Sequence, residues 1–119
     1  MPYGIAIMRW DDRLGAEVIA KYPADLNYTT ADLIRVYDIH ENLREAGITY
    51  FNNEKVNIIS YYAGREYNLY IILKLTILED PDNFEDLLNK ISDIIIDNYT
   101  KNDLNSILKK IWNNVLEED

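Results

Sequence analysis

The chain has 119 residues, no cysteine and a formal net charge of −9. That length predicts a single domain over residues 1–119 with one core, and a hydrophobic fraction of 48% excludes intrinsic disorder. The absence of cysteine excludes disulfides, thiolate zinc sites and a cysteine nucleophile. Both halves of the chain are acidic, so no basic stripe can follow phosphates; nucleic acid and anionic membrane are poor candidates as partners, and a positively charged protein patch is favoured.

Tyr3–Trp10 and Ala16–Tyr22 are apolar runs separated only by Asp11-Asp12-Arg13-Leu14-Gly15, which predicts a β-hairpin at the start of the chain. The first run is apolar on both parities, Ile5 and Ile7 against Ala6, Met8 and Trp10, the pattern of a strand covered on both faces. The second alternates, with Val18, Ala20 and Tyr22 opposite Glu17, Ile19 and Lys21. Its charges suit an edge strand, and Pro23 ends it. Thr29, with Asp32 three residues on, reads as a short capping box. Leu33, Val36, Tyr37, His40 and Leu43 then form the apolar stripe of a first helix, closed at Ala46-Gly47.

Three strands follow. Ile48–Phe51 is short and leads through a turn at residues 52–55 into Val56–Ala63. A tight turn at Gly64-Arg65 connects this to Tyr67–Leu78, a long strand rich in apolar residues on both parities and expected to be central. Asp80-Pro81 starts a second helix with an acidic cap and a proline at the first helical position. Asp82, Glu85 and Asp86 sit where the helix dipole favours negative charge, and the stripe is Phe84, Leu87, Leu88, Ile91, Ile94, Ile95 and Tyr99. A third helix starts near Asn102 or Asp103, with Leu104, Ile107, Leu108, Ile111, Trp112, Val115 and Leu116 as its stripe. The order ββ-α-βββ-αα predicts an α+β fold in α/β/α layers: a five-stranded antiparallel sheet with one helix on one face and two on the other.

No catalytic constellation assembles from the sequence, and no cofactor or metal is expected. The four glycines are scattered and form no dinucleotide or phosphate-binding loop. His40, the single histidine, reads as a border residue of the first helix, packed or solvated, rather than a general base or metal ligand. Ser60, Ser92 and Ser106 lie in no nucleophile-elbow sequence. The acidic run at residues 79–86 reads as a capped helix start rather than a calcium loop. Tyr61, Tyr62, Tyr67 and Tyr70 cluster around the turn before the last strand, either for cross-strand packing or to stack on a ligand. Trp10-Asp11-Asp12-Arg13 offers an aromatic ring, two carboxylates and a guanidinium. It is either a partner hot spot or a hairpin turn with Trp10 packed under a helix and Arg13 paired with an acid. No leader is apparent and the longest apolar stretch, Leu69–Leu78, is too short to span a bilayer, so a cytoplasmic location without membrane insertion is expected.

The element order resembles the longin (SNARE-like) fold over the whole chain. Ile7-Met8-Arg9-Trp10-Asp11-Asp12-Arg13-Leu14-Gly15, with Lys21-Tyr22-Pro23, also looks like the starts of small prokaryotic or archaeal-type longin and roadblock-like proteins. Roadblock domains begin with an extra helix, and this chain begins with a strand, so longin fits better. The resemblance implies a non-catalytic interaction platform, homo- or heterodimeric with a second longin or roadblock domain, that binds or regulates a small GTPase or trafficking-type partner. It also implies that the second and third strands are the sheet edges. The chain stops after the third helix with no SNARE coiled coil, so a standalone adaptor-like subunit is expected. The candidate partner-binding residues are the turn Trp10, Asp11, Asp12 and Arg13; the outer helix face Arg35, Asp38, Glu41 and Asn42; and the edge residues Thr49, Tyr50 and Phe51. One alternative is peptide capture in the groove between the first helix and third strand. Another, from a different class, is a small enzyme using two carboxylates in one pocket.

Overall fold

A computed structural model describes residues 2–43, 46–52, 55–100 and 103–116. The chain folds as β1 (Gly4–Asp11), β2 (Gly15–Tyr22), α1 (Thr30–Leu43), β3 (Gly47–Asn52), β4 (Val56–Tyr62), β5 (Tyr70–Thr76), α2 (Glu85–Asn98) and α3 (Leu104–Ile111), the last running into a π-helical turn at Trp112–Leu116. The strands form one antiparallel sheet in the order β2-β1-β5-β4-β3. The fold is therefore α+β, with β1 and β5 inside the sheet and β2 and β3 at its edges.

The double-parity apolar strands explain the layering. Ile5 and Ile7 of β1, Ile59 of β4 and Ile71, Leu73 and Leu75 of β5 pack on one face against Leu88, Ile91 and Ile95 of α2 and Ile107, Leu108 and Ile111 of α3. Met8, Ile58, Tyr62, Tyr70 and Ile72 pack on the other face against Leu33 and Val36 of α1. A strand buried on both faces needs apolar residues at successive positions, as β1 and β5 have. Gly4 lets β1 begin close to its neighbours: a Cβ there would lie 2.7 Å from both the Tyr22 carbonyl oxygen and Leu26 Cδ2.

Helix starts follow the capping chemistry. The Thr29 hydroxyl oxygen accepts a hydrogen bond from the Asp32 amide at 3.0 Å, and Asp103 accepts from the Asn105 amide at 3.2 Å. Asp80 accepts from the Asp82 amide at 3.0 Å, but the turn it caps, Pro81–Phe84, is a 3-10 helix, and α2 proper begins at Glu85.

Three expectations need correction and one is narrowed. First, β2 does not alternate simply. Ile7 pairs with Ala20 and Met8 with Val18, so Ile19 is an extra residue in a β-bulge. Ile19 and Ala20 both pack on the α2/α3 side, and Val18 is left 37% exposed. Second, the last strand is shorter than its apolar run. The Ala63 amide donates to the Leu69 carbonyl, and the Tyr67 and Asn68 amides donate to that of Gly64. These bonds close a loop over residues 63–69 in place of a two-residue turn. Ile77 and Leu78 are exposed because Asn57 Nδ2 donates to the Ile77 and Glu79 carbonyls, which bends the chain away after Thr76. Third, Gly47, expected to close α1, opens β3; Arg44, Glu45, Asn53 and Glu54, and hence part of the expected turns, lie outside the described residues, as does Asn102. Fourth, His40, expected at the border of the helix and either packed or solvated, is packed: it is fully buried.

Candidate functional site

The β1–β2 turn is built by Asp11. One of its carboxylate oxygens accepts the backbone N–H groups of Arg13 at 2.8 Å and Leu14 at 2.9 Å, an Asx-type turn. Gly15 closes it at φ +82°. The two backbone bonds hold the Asp11 carboxyl below its ordinary range. Asp11 is therefore occupied in forming the turn, while Asp12 and Arg13 are exposed beside it.

Trp10 turns back under α1 and stacks on Tyr37, with ring centroids 3.6 Å apart and planes 10° apart. Tyr37 meets Tyr70 of β5 edge-on at 6.3 Å, and Tyr70 stacks on Tyr62 of β4 at 4.7 Å. The hairpin, the helix and the centre of the sheet thus share one run of aromatic rings. Asn68 ties in the β4–β5 loop: at φ 52° its side-chain amide donates to the Trp10 carbonyl at 3.1 Å. Asparagine is among the few non-glycine residues that adopt this conformation readily.

These elements enclose a cleft of about 320 Å³ lined by Trp10, Asp12, Tyr37, Glu41, Tyr62, Arg65, Asn68 and Tyr70. Its electrostatics are read by its phenols. The Tyr37 hydroxyl is pushed up from its ordinary pKa first by desolvation and then by the negative charges of Glu41, Asp12 and Asp38. Tyr70 is pushed up by burial and by its neighbours Tyr62, Tyr37 and Glu41. Carboxylates from two separate elements therefore act on one aromatic site.

The sequence candidates divide between this cleft and other surroundings. Trp10, Asp12 and Glu41 line it, and Asp38 acts on it through Tyr37. On the other side of α1 the Arg35 guanidinium lies 4.6 Å from the Phe51 ring centroid, and Phe51 is buried beneath the helix. Asn42 is exposed and Tyr50 is 54% exposed. Thr49 points inward, its hydroxyl 3.3 Å from His40 Nε2. Of the four clustered tyrosines, Tyr62 and Tyr70 line the cleft, while Tyr61 and Tyr67 pack on the α2/α3 core and Tyr67 meets Tyr99 edge-on at 5.6 Å. Arg65 and Asn68 are cleft residues that sequence reasoning did not single out. The only trace of them was the turn signal at Gly64, since their approach to Trp10 depends on the β1–β5 pairing.

His40 Nε2 lies 2.8 Å from Ser60 Oγ. Burial pushes the ring pKa down to about 4, so the ring is neutral at pH 7. Ser60 is 1% exposed, and a substrate has no access to its hydroxyl; the contact joins α1 to β4 through the core. Among the described residues no group of three or more His, Cys, Asp or Glu side chains gathers to hold a metal ion, and no helix is long and apolar enough to cross a membrane.

The class that the geometry defines is an α+β domain with helices on both faces of a five-stranded antiparallel sheet, two unequal sheet edges and an aromatic, acidic cleft at one end. No protein-family model matches the chain, and no curated protein matches it significantly.

Proposed function

We propose that the chain is a non-catalytic protein-interaction platform of the longin-like type. It pairs through β3 with a second copy of itself or with another longin or roadblock domain, and binds or regulates a small GTPase or trafficking-type partner. The observation that carries the reading is the sheet order β2-β1-β5-β4-β3, with α1 on one face and α2 and α3 on the other. This agrees with the edges that the longin resemblance implies.

The contrast between the two edges supports β3 as the pairing surface. β2 carries Glu17 and Lys21 and is bulged at Ile19; the Lys21 amide also donates to Asn105 Oδ1 of α3 at 3.2 Å. Charge, a bulge and a capped amide each discourage strand addition. β3 (GITYFN) has no charged residue, pairs with β4 in unbroken register and presents an exposed Tyr50. Peptide capture between α1 and β3 is less well supported, because Arg35 already covers Phe51 where such a peptide would sit.

Calorimetric titration of the full chain with purified small GTPases, loaded with GDP or a GTP analogue, and with longin and roadblock domains tests the reading. At least one is expected to bind with a dissociation constant of about 1 µM, near −8 kcal/mol. Binding to none of them, together with no self-association, would reject it.

A further inference from the structure

We propose that the cleft between the β1–β2 turn, α1 and the β4–β5 loop receives a guanidinium group, supplied by an arginine side chain of a protein partner. The proposal rests on the interaction-platform reading and adds the chemistry of one contact.

The first argument is shape. Four aromatic rings from four elements meet here, Trp10 stacked on Tyr37 and Tyr62 on Tyr70, and beside them a cleft of about 320 Å³ remains, with Asp12, Glu41, Arg65 and Asn68 in its wall. Trp10 and Tyr37, stacked 10° from parallel, are both only partly buried. Flat rings in a concave, partly exposed setting suit a flat ligand group.

The second argument is charge. Two carboxylates, Asp12 from the hairpin and Glu41 from α1, stand against one guanidinium, Arg65. Asp38 adds a third negative charge acting on Tyr37. The cleft is thus net negative within a chain of net charge −9, which draws cations toward it.

The third argument distinguishes among cations. A guanidinium is planar and weakly hydrated, stacks on aromatic faces and presents a fork of N–H donors to carboxylates. Asp12 and Glu41 come from separate elements and both line the cleft beside the rings, and a flat fork of donors is the cation shape that suits carboxylates and ring faces together. An ammonium has neither plane nor fork. Arg65 is the cleft's own competing cation, and removing its charge favours the incoming one.

The test is a titration of the isotope-labelled full chain with Nα-acetyl-argininamide, followed by NMR. The chain has two tryptophans, so the indole N–H of Trp112, 9% exposed in the α2/α3 core, serves as an internal control for fold. The Trp10 indole and the Arg65 and Asn68 amides are expected to shift saturably, with a dissociation constant on the order of 1 mM, while Trp112 stays in place. The Asp12→Asn/Glu41→Gln double variant is expected to weaken binding about tenfold and Arg65→Gln to tighten it roughly twofold. The uncharged citrulline counterpart is expected to give no saturable shift and the lysine counterpart a weaker one. No saturable shift at Trp10, equal binding of the citrulline or lysine counterpart, or unchanged affinity in the double variant would overturn the proposal. If the calorimetric partners bind while the guanidinium probe does not, the platform reading stands and only the cleft assignment falls.

Discussion

His40 lies at 0% exposure among Ser60, Thr49, Tyr62 and Tyr70, from three strands. Its pKa falls from 6.5 to about 4 on folding because burial disfavours the imidazolium. Between those values the unfolded chain binds more protons than the native one, so stability rises with pH. The contribution is fully present above about pH 6.5 and is lost as pH falls toward 4, a total of about 3 kcal/mol. Urea unfolding at several pH values checks this. The wild type is expected to lose that increment relative to His40→Gln between neutral and acid pH, and parallel curves for the two proteins would refute the assignment. The 3- and 4-residue spacing placed His40 on the inner stripe of α1, but its depth was not legible. Depth depends on which strand lies beneath the helix, and Ser60 and Thr49 arrive there only through the β3–β4 register.

The hairpin, the β2 bulge and the β4–β5 loop show what can be read at the scale of an element. Strand alternation and cap residues depend on neighbours within a few positions, which is why β1, α1, α2 and α3 were legible from spacing alone. A bulge inserts one residue without changing composition, so the Val18-Ile19-Ala20 run carried no mark of the face switch it makes. The continuous apolar run of the last strand likewise concealed its ends, because loop 63–69 is closed by backbone bonds that leave no mark on the apolar pattern, and only Gly64 and Asn68, at positive φ, trace it in the sequence. The hairpin turn allows a clean test of local geometry. Gly15 sits at φ +82° with only Trp10 Cη2, 4.0 Å away, near the position of an added Cβ. Gly15→Ala therefore introduces backbone strain without a clash and is expected to cost about 1 kcal/mol, measured by thermal or urea unfolding; an unchanged midpoint would show that the turn relaxes.

For the whole molecule, the element order was sufficient to predict the layers: each amphipathic stripe had to be buried and one sheet offered two faces. The cleft was less legible. Trp10, Tyr37, Arg65 and Tyr70 are far apart in sequence and meet only because β1 pairs with β5, setting Met8 opposite Tyr70, while α1 crosses the same face. The Trp10–Arg13 turn also divides in the folded chain: Asp11 shapes the backbone, Trp10 joins the aromatic run and Asp12 supplies charge.

The proposed pairing through β3 is read from the mass of the chain in solution. Light scattering at micromolar concentration, on the chain alone and mixed with purified longin or roadblock domains, is expected to give a two-domain complex for the wild type, twice the 14.0 kDa chain mass if it pairs with itself, and the single-chain mass for Tyr50→Lys, which places a charge on the uncharged edge strand. A wild-type mass of 14.0 kDa at every concentration, both alone and in every mixture, would rule out pairing through β3.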